Sequence, residues 1–94
     1  MLPLAFFKVK DRSMEPAVSD GDYVVVNRWN KSIKDGDVVV LSHPNKGILI
    51  IKRVWKILGN HLYVRGDNGE FSQDSRQFGS ISKDLVIGKV IIRI

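Results

Sequence analysis

The 94-residue chain contains no cysteine, three prolines and two histidines. The lack of cysteine excludes disulfide bridges and thiolate metal sites. The two histidines, His43 and His61, are too few for a histidine-rich metal site. Each lies in a turn between predicted strands, so we interpret both as surface residues. The sequence therefore predicts neither a metal site nor a cofactor.

Long apolar segments are also missing. A membrane-spanning helix needs about 20 apolar residues, and the longest apolar runs are residues 2–7 and 47–51. The run 2–7 lacks the charged start and the small-residue cleavage site of a signal peptide, so we predict that it forms the first core strand. An alternative interpretation treats this run as an apolar surface in peripheral contact with a membrane.

Positive charge is in excess but is not concentrated. Fifteen Lys and Arg against ten Asp and Glu give a net charge of +5, which permits attraction to nucleic acid, anionic lipid or an acidic partner. No run of five basic residues occurs, so solubility is the simpler explanation. The length permits one modest core and the 44% hydrophobic content is that of a globular protein, so we predict a single domain over residues 1–94.

Short segments rich in β-branched and aromatic residues recur along the chain, and this composition favours strands. They are residues 24–26, 38–41, 48–54, 62–64 and 85–94. Two Asp-Gly-Asp turns, at 20–22 and 35–37, each precede a run of valines. Residues 11–19 and 83–86 could each hold one helical turn, but no segment sustains a helical period. We therefore predict an all-β domain, closed or strongly coiled, because so many short strands need protected edges.

One segment, residues 66–79, interrupts this pattern because it is polar, contains glycine and is not periodic. We call it the polar loop. A loop of this length in a small domain is usually functional or disordered. Phe71 and Phe78 argue against disorder because they can pin the loop to the core. Asp74 and Arg76 can add a bidentate ion pair.

Lys52 is the first candidate for chemistry. Side chains alternate along a strand, so Ile50, Lys52 and Val54 share one face. If that face is buried, desolvation can lower the pKa of a lysine to roughly 5–6, and a neutral amine can act as a general base. The simpler interpretation is an edge-strand lysine that blocks aggregation, and alternation alone favours that one.

Ser13 acquires a role if it lies beside a neutral Lys52. The lysine would then take the hydroxyl proton while the serine oxygen attacks a carbonyl. Three segments resemble the boxes of a family with this chemistry: residues 13–16 resemble S-M-x-P, residues 52–54 resemble K-R-V, and residues 66–79 resemble G-D-N…S-x-D-S-R-x-x-G. In this order they resemble the type I signal peptidases with a serine–lysine dyad. The Gly-Asp pairs of the two turns and Gly88 also match, so the resemblance covers almost the whole chain.

The resemblance implies a fold, an activity and site residues. The fold would be the small coiled antiparallel β-sheet or barrel of signal peptidases and self-cleaving repressors. Ser13 would be the nucleophile and Lys52 the general base of a serine endopeptidase. Met14 would help to wall a pocket for a small substrate side chain, and main-chain hydrogen bonds to a sheet edge would hold the peptide.

Three residues of the polar loop would support the dyad. Ser72 would orient the lysine amine by a hydrogen bond, and Asp74 with Arg76 would form an ion pair that holds the loop near the dyad. One position departs from the family. The nucleophile's N–H and often a small hydroxyl residue two positions earlier form the oxyanion hole, and that earlier position is Asp11. An ionised aspartate cannot donate a hydrogen bond and would repel an oxyanion. The sequence therefore does not identify the second donor of the oxyanion hole.

The short spacing between Lys52 and the polar loop indicates which subgroup of the family the chain resembles. Only residues 54–65 lie between Arg53 and Gly66, so we expect neither the inserted domain of bacterial signal peptidases nor their membrane anchor. This form resembles the nickel-type superoxide dismutase maturation proteases, which implies a cytoplasmic enzyme that removes an N-terminal leader from a precursor protein. The alternative is a membrane-associated signal peptidase proper whose anchor is missing. The expected partner is a precursor protein or leader peptide, and the sequence leaves the oligomeric state open.

Two other classes remain. A small basic β-barrel could bind nucleic acid, with Trp29 beside Arg28 and Trp55 beside Lys56 as stacking platforms. We favour packing of both tryptophans against strands, so no nucleic acid is expected. The catalytic domain of a self-cleaving repressor shares the dyad and a related fold. It would require a DNA-binding segment and a cleavable linker, and the sequence shows neither.

Overall fold

The computed structural model describes residues 3–29 and 32–94, and these residues form one curled antiparallel sheet. In chain order, the strands of the described residues are β1 (Leu4–Lys8), β2 (Tyr23–Asn27), β3 (Val38–Ser42), β4 (Leu49–Leu58), β5 (His61–Arg65), β6 (Ile81–Ser82) and β7 (Val86–Arg93). They lie in the order β1-β2-β7-β3-β4-β5-β6. The prediction of an all-β fold with a coiled sheet is therefore confirmed.

The sheet buries apolar side chains on both faces. Val39 and Val40 are adjacent on β3, yet they belong to two different core clusters because successive side chains of a strand point to opposite faces. On β4, Ile51 joins the cluster of Val40, whereas Val54 joins the cluster of Val39. The middle of β4 is thus covered on both sides, and this is where the second sequence box lies.

The first strand differs from its prediction. The run 2–7 was expected to form a core strand, but β1 is an edge strand of the described sheet and pairs with β2. Leu4 is 44% exposed and Phe6 is 67% exposed, because one face of this edge strand has nothing packed over it. Leu2 lies outside the described residues. None of the helices in the described ranges is long and apolar enough to cross a bilayer.

Gly88 allows β7 to lie close to the end of β2. A Cβ at this position would come within 2.6 Å of the carbonyl oxygen of Asn27, which is closer than real side chains approach. The ladder between β2 and β7 also shifts register between Val25 and Val26, and the ladder between β3 and β7 shifts between Val40 and Leu41. Such irregularities increase the local twist of a sheet and contribute to its curl.

The predicted helical turns have two outcomes. Residues 83–86 contain a 3₁₀ turn at Lys83–Leu85, as predicted, and the side chain of Ser82 caps it. Residues 11–19 form hydrogen-bonded turns without a helix; one of these bonds joins the N–H of Val18 to the carbonyl of Met14 at 3.0 Å. Because these turns carry Ser13, the candidate nucleophile, we call residues 10–18 the nucleophile segment.

The polar loop is ordered by local structure of its own. It contains a 3₁₀ turn at Gly69–Phe71 and the one-turn helix α1 at Ser75–Phe78. Phe78 packs against the core cluster of Val39, as predicted. Phe71 does not pin the loop to the core: it is 50% exposed, and its ring lies 4.3 Å from the guanidinium carbon of Arg12. One aromatic residue therefore anchors the loop, and the other joins it to the nucleophile segment.

Candidate active site

Lys52 lies in the middle of β4 and is only 2% exposed. The edge-strand interpretation is wrong, because β3 and β5 flank β4 and Lys52 is paired with Val39. Burial lowers the pKa of the Lys52 ammonium group, and this effect outweighs the opposing influence of the carboxylates of Asp11 and Asp74. At moderate pH, a larger fraction of Lys52 is therefore neutral than of an ordinary surface lysine.

The Lys52 amine belongs to a chain of hydrogen bonds. Its Nζ donates to Oγ of Ser72 at 3.2 Å, and that hydroxyl donates in turn to Oδ2 of Asp74 at 2.6 Å. Because the Ser72 proton points at the carboxylate, the lone pairs of its oxygen are left for the amine. Ser72 thus fixes the position of Nζ.

Asp74 is the anchor of this chain. Its carboxylate is fully buried and accepts five hydrogen bonds, from N of Gly66, Oγ of Ser72, and N, Nε and Nη2 of Arg76. Burial alone would raise the pKa of Asp74, but the hydrogen bonds from Arg76, Ser72 and Gly66 together outweigh it and hold the pKa well below its usual range. The ionised carboxylate also caps α1 together with Gln77. The polar loop is therefore built around one buried negative charge.

Ser13 lies against the polar loop. Its side chain is 1% exposed, and its carbonyl accepts a hydrogen bond from N of Asn68 at 2.7 Å. A Cβ at Gly66 would come within 2.6 Å of the same carbonyl and would collide with Oγ of Ser72. Only glycine permits this approach, so Gly66 lets the nucleophile segment lie next to the hydroxyl that holds Lys52.

Asp11 controls the hydrogen bonds of Ser13. Its Oδ1 accepts from the Ser13 N–H at 3.0 Å and from the Ser13 hydroxyl at 2.9 Å. The hydroxyl therefore points at a carboxylate in this structure, and the N–H expected to stabilise an oxyanion is occupied. The sequence showed that Asp11 cannot be a second donor, but not that it captures the first. An aspartate two residues before a backbone N–H commonly makes such a bond, and that spacing was the available signal.

Met14 packs in the core with residues that line an open groove, but it does not line that groove itself. It is completely buried in the core cluster with Val9, Val24, Val40 and Ile51. The same four residues, with Phe7 and Asp11 among others, line a groove of about 370 Å³. We call it the apolar groove. Asp11 belongs to the nucleophile segment, so the groove opens beside the residues that precede Ser13.

The two histidines differ from each other. His61 is exposed, as predicted. His43 is 7% exposed, so its interpretation as a surface residue was wrong: its Nδ1 accepts from N of Asn45 at 3.0 Å, and its ring meets Phe78 edge to face. Burial lowers the pKa of His43, and the nearby charges of Lys46 and Lys52 lower it further. Within residues 3–29 and 32–94, no three His, Cys, Asp or Glu side chains are grouped as a metal site would need.

The two tryptophans are also more exposed than expected. Trp29 is 63% exposed and Trp55 is 50% exposed, so the prediction that both are packed against strands was wrong. Trp55 has partners on its strand face: the guanidinium carbon of Arg65 lies 3.9 Å from its ring, and Tyr63 meets it edge to face. Its environment is therefore basic and open.

Comparison with known proteins gives a family. The sequence profile described as peptidase S24-like matches residues 3–91. No curated protein matches the chain. The profile supports a relationship to peptidases, but it does not single out the type I signal peptidases or the superoxide dismutase maturation proteases. Because the match spans nearly the whole sequence and both its polar loop and its buried lysine, the chain belongs to the peptidase S24-like family.

Proposed function

We propose that the protein is a serine endopeptidase in which Ser13 is the nucleophile and Lys52 is the general base. The observation that carries this proposal is the buried lysine, whose amine has a lowered pKa and is fixed by Ser72. A structural lysine gains nothing from such burial, whereas a general base needs a pKa close to the working pH. Ser13 lies across Gly66 from the hydroxyl that holds this amine.

The reaction begins with a rotation of the Ser13 hydroxyl. Oγ leaves Asp11 and turns toward Lys52, which takes the proton while the oxygen attacks the peptide carbonyl. The Ser13 N–H, once released from Asp11, donates to the oxyanion. The lysine ammonium then protonates the leaving amine, and after deprotonation it activates the water that hydrolyses the acyl-enzyme. Ser72 and Asp74 hold the amine in place throughout.

The substrate we propose is the N-terminal leader of a precursor protein, cut after a small residue. An extended peptide that enters the apolar groove passes Asp11 and reaches Ser13. Met14 packs in the same core cluster as four of the residues that line the groove, and we expect the groove to take a small side chain. A compact maturation protease for nickel-type superoxide dismutase and a signal peptidase proper are two forms of this proposal.

Two peptides distinguish these forms. One mimics a signal peptide, and the other spans the leader junction of a nickel superoxide dismutase precursor. We expect mass spectrometry to show one cut after a small residue in one of them, with no cut by Ser13→Ala. Equal cutting by Ser13→Ala, or an intact pair of peptides after long incubation with the native chain, would refute the proposal.

Membership of the peptidase S24-like family favours a second candidate with the same dyad, namely self-cleavage of the kind found in repressors. An intramolecular cut has a rate that does not depend on protein concentration. A cut in trans accelerates with concentration and also occurs on added chain carrying Ser13→Ala. Following both at several concentrations separates self-cleavage from processing of another protein.

A further inference from the structure

A second cleft lies on the other side of Lys52 from the apolar groove. It has a volume of about 450 Å³, and its lining includes Arg53, Trp55, Arg65, Gly66, Asp67 and Arg76. We call it the basic cleft. Residues 48–51 line the apolar groove and residues 53–55 line the basic cleft, so β4 crosses both with Lys52 between them. The last strand residue of the groove and the first of the cleft are two positions apart, about 7 Å. One extended dipeptide of a bound peptide has that length.

The charges of the basic cleft do not balance. Arg53 forms a bidentate pair with Asp67, with both N···O distances at 2.8 Å, and Arg76 forms one with Asp74. Arg65 forms no ion pair with any residue that the structure describes. Three guanidinium groups and two carboxylates thus leave one positive charge, and it is the charge of Arg65.

Arg65 is held in an orientation suited to an anion. Its guanidinium stacks on the ring of Trp55 at 3.9 Å, and the edge of Tyr63 supports that ring. Stacking covers a face of the guanidinium and leaves its N–H edge free to bind a carboxylate with two parallel hydrogen bonds. Arg65 is also directly opposite Arg53 in the ladder of β4 and β5, and like charges in that relation destabilise a sheet. An anion bound between them would relieve the repulsion.

We propose that the basic cleft is a specificity subsite for an acidic side chain on the leaving-group side of the scissile bond, with Arg65 as its specificity-determining residue. This inference rests on the proposed function, because it needs a peptide bound across Ser13. The apolar groove is lined by Asp11, two residues before Ser13, and takes the acyl side. The basic cleft adjoins Ser13 through Gly66 and takes the residues beyond the cut.

A carboxylate fits this cleft better than a phosphate or a nucleic acid. One uncompensated charge matches one carboxylate. A polyanion would have to lie beside the carboxylate of Asp67, which lines the cleft, and like charges at this range repel. Asp67 also occupies the Nε and Nη2 donors of Arg53, so that guanidinium cannot present its full fork to a second anion.

The test uses blocked peptides with alanine before the scissile bond and Gln, Glu or Lys at each of the three following positions in turn. We expect the native chain to cleave the best Glu peptide about tenfold faster, by kcat/KM, than its Gln counterpart, as a charged hydrogen-bonded pair warrants. Arg65→Gln should lose this preference, and Arg65→Lys should keep part of it. Arg93→Gln removes the same charge from a residue outside the cleft and should keep all of it. Melting curves establish that each variant is folded.

The outcomes separate this inference from the proposed function. If peptides are cleaved without preference for Glu, or if Arg65→Gln keeps the preference, the subsite is wrong and the protease stands. If no peptide is cleaved, processing of another protein is wrong and self-cleavage is the candidate that remains. Binding of the Glu and Gln peptides, followed by Trp55 fluorescence in a Trp29→Phe background, then decides the subsite. Glu-selective binding that Arg65→Gln abolishes supports the subsite. Equal binding, or displacement of the Glu peptide by a lower concentration of single-stranded DNA, overturns it.

Discussion

Lys52 and Ser13, the two residues of the candidate dyad, differ in how firmly their side chains are positioned. Lys52 is fixed in the middle of a strand, and its amine is bound to Ser72, which Asp74 holds in turn. Ser13 belongs to a segment without regular structure, and its hydroxyl is bound to Asp11. The base is therefore preorganised, whereas the nucleophile must change its hydrogen bond before it can react.

The two sides also differ in how easily their hydrogen bonds can rearrange. The base side uses a buried carboxylate with five hydrogen bonds, so its geometry cannot relax without exposing that charge. The nucleophile side uses a carboxylate on an exposed residue, which can turn toward solvent. Substrate binding is thus expected to act on Asp11 and to leave Asp74 unchanged.

The strongest way to break the comparison is Lys52→Met, which keeps the shape of the side chain and removes the amine. We expect kcat/KM to fall about a thousandfold, the scale of a lost general base. The control is Lys56→Met, an exposed lysine on the same strand. A variant with near-native activity would show that the base is misassigned.

The same variant should change the pH dependence of stability. Between the lowered pKa of Lys52 and its ordinary value of 10.5, the folded chain binds fewer protons than the unfolded chain, so native stability rises with pH. Lys52→Met should therefore be more stable than the native chain below that interval, and its advantage should shrink as pH rises through it. Urea unfolding at a series of pH values measures this, and an advantage that is constant with pH would contradict the burial of a chargeable amine.

Asp74→Asn tests the anchor of the base side. An amide cannot replace a buried carboxylate that accepts from Arg76, Ser72 and Gly66, and we expect a loss of about 3 kcal/mol in the free energy of unfolding together with lower activity. Because the folded pKa of Asp74 lies below its ordinary 3.8, its stabilisation is complete above that value and is lost as pH falls through the folded pKa. Asp84→Asn, on an exposed turn, is the control. An unchanged melting temperature with unchanged activity would remove the assigned role.

Asp11→Asn tests the nucleophile side and should have the smallest effect, in the opposite direction. The amide no longer holds the Ser13 hydroxyl as a charged acceptor and can donate to an oxyanion, so we expect kcat/KM to rise about tenfold. Asp11 also raises the pKa of Lys52, so the rising limb of the pH–rate profile should move to lower pH. The matched control is Asp20→Asn, in an exposed turn. Slower cleavage with an unmoved profile would show that Asp11 assists Ser13.

Most of the fold followed from local composition. Valine runs after Asp-Gly-Asp turns gave β2 and β3, and the β-branched composition of residues 48–54 gave the part of β4 that carries Lys52. The error at β1 has a physical reason. An apolar run shows that a segment is a strand, but whether a second layer covers it depends on strand order, which composition does not contain.

The candidate site was predictable in its members and in two of its contacts, Lys52 with Ser72 and Asp74 with Arg76, but not in the contacts of Asp11 and Arg65. Ser13, Lys52 and Ser72 came from box patterns, since their spacing along the chain is recognisable. The bond from Ser13 to Asp11 and the stack of Arg65 on Trp55 depend on side-chain rotation and on the register of β4 and β5. The spacing of Asp11 and Ser13 was a local signal for a bond to the Ser13 N–H, but the rotation of the Ser13 hydroxyl and the register of β4 and β5 are not encoded in residue types within a short window. Burial by distant residues is not encoded there either, and for this reason His43 was misread as a surface residue.

The unequal anchoring of the two dyad residues has a kinetic consequence. Amides of an interior strand open only when most of the sheet opens, whereas a segment held by a few bonds can detach at a much smaller free energy. The exposed residues Asp11 and Arg12 can therefore change their hydrogen bonds while the sheet stays folded, whereas Met14 and Val18 keep the rest of the nucleophile segment in the core. The observed turnover would then scale with the fraction of molecules in which the two dyad residues are aligned, and ligands that clamp this segment would act as activators without touching the lysine.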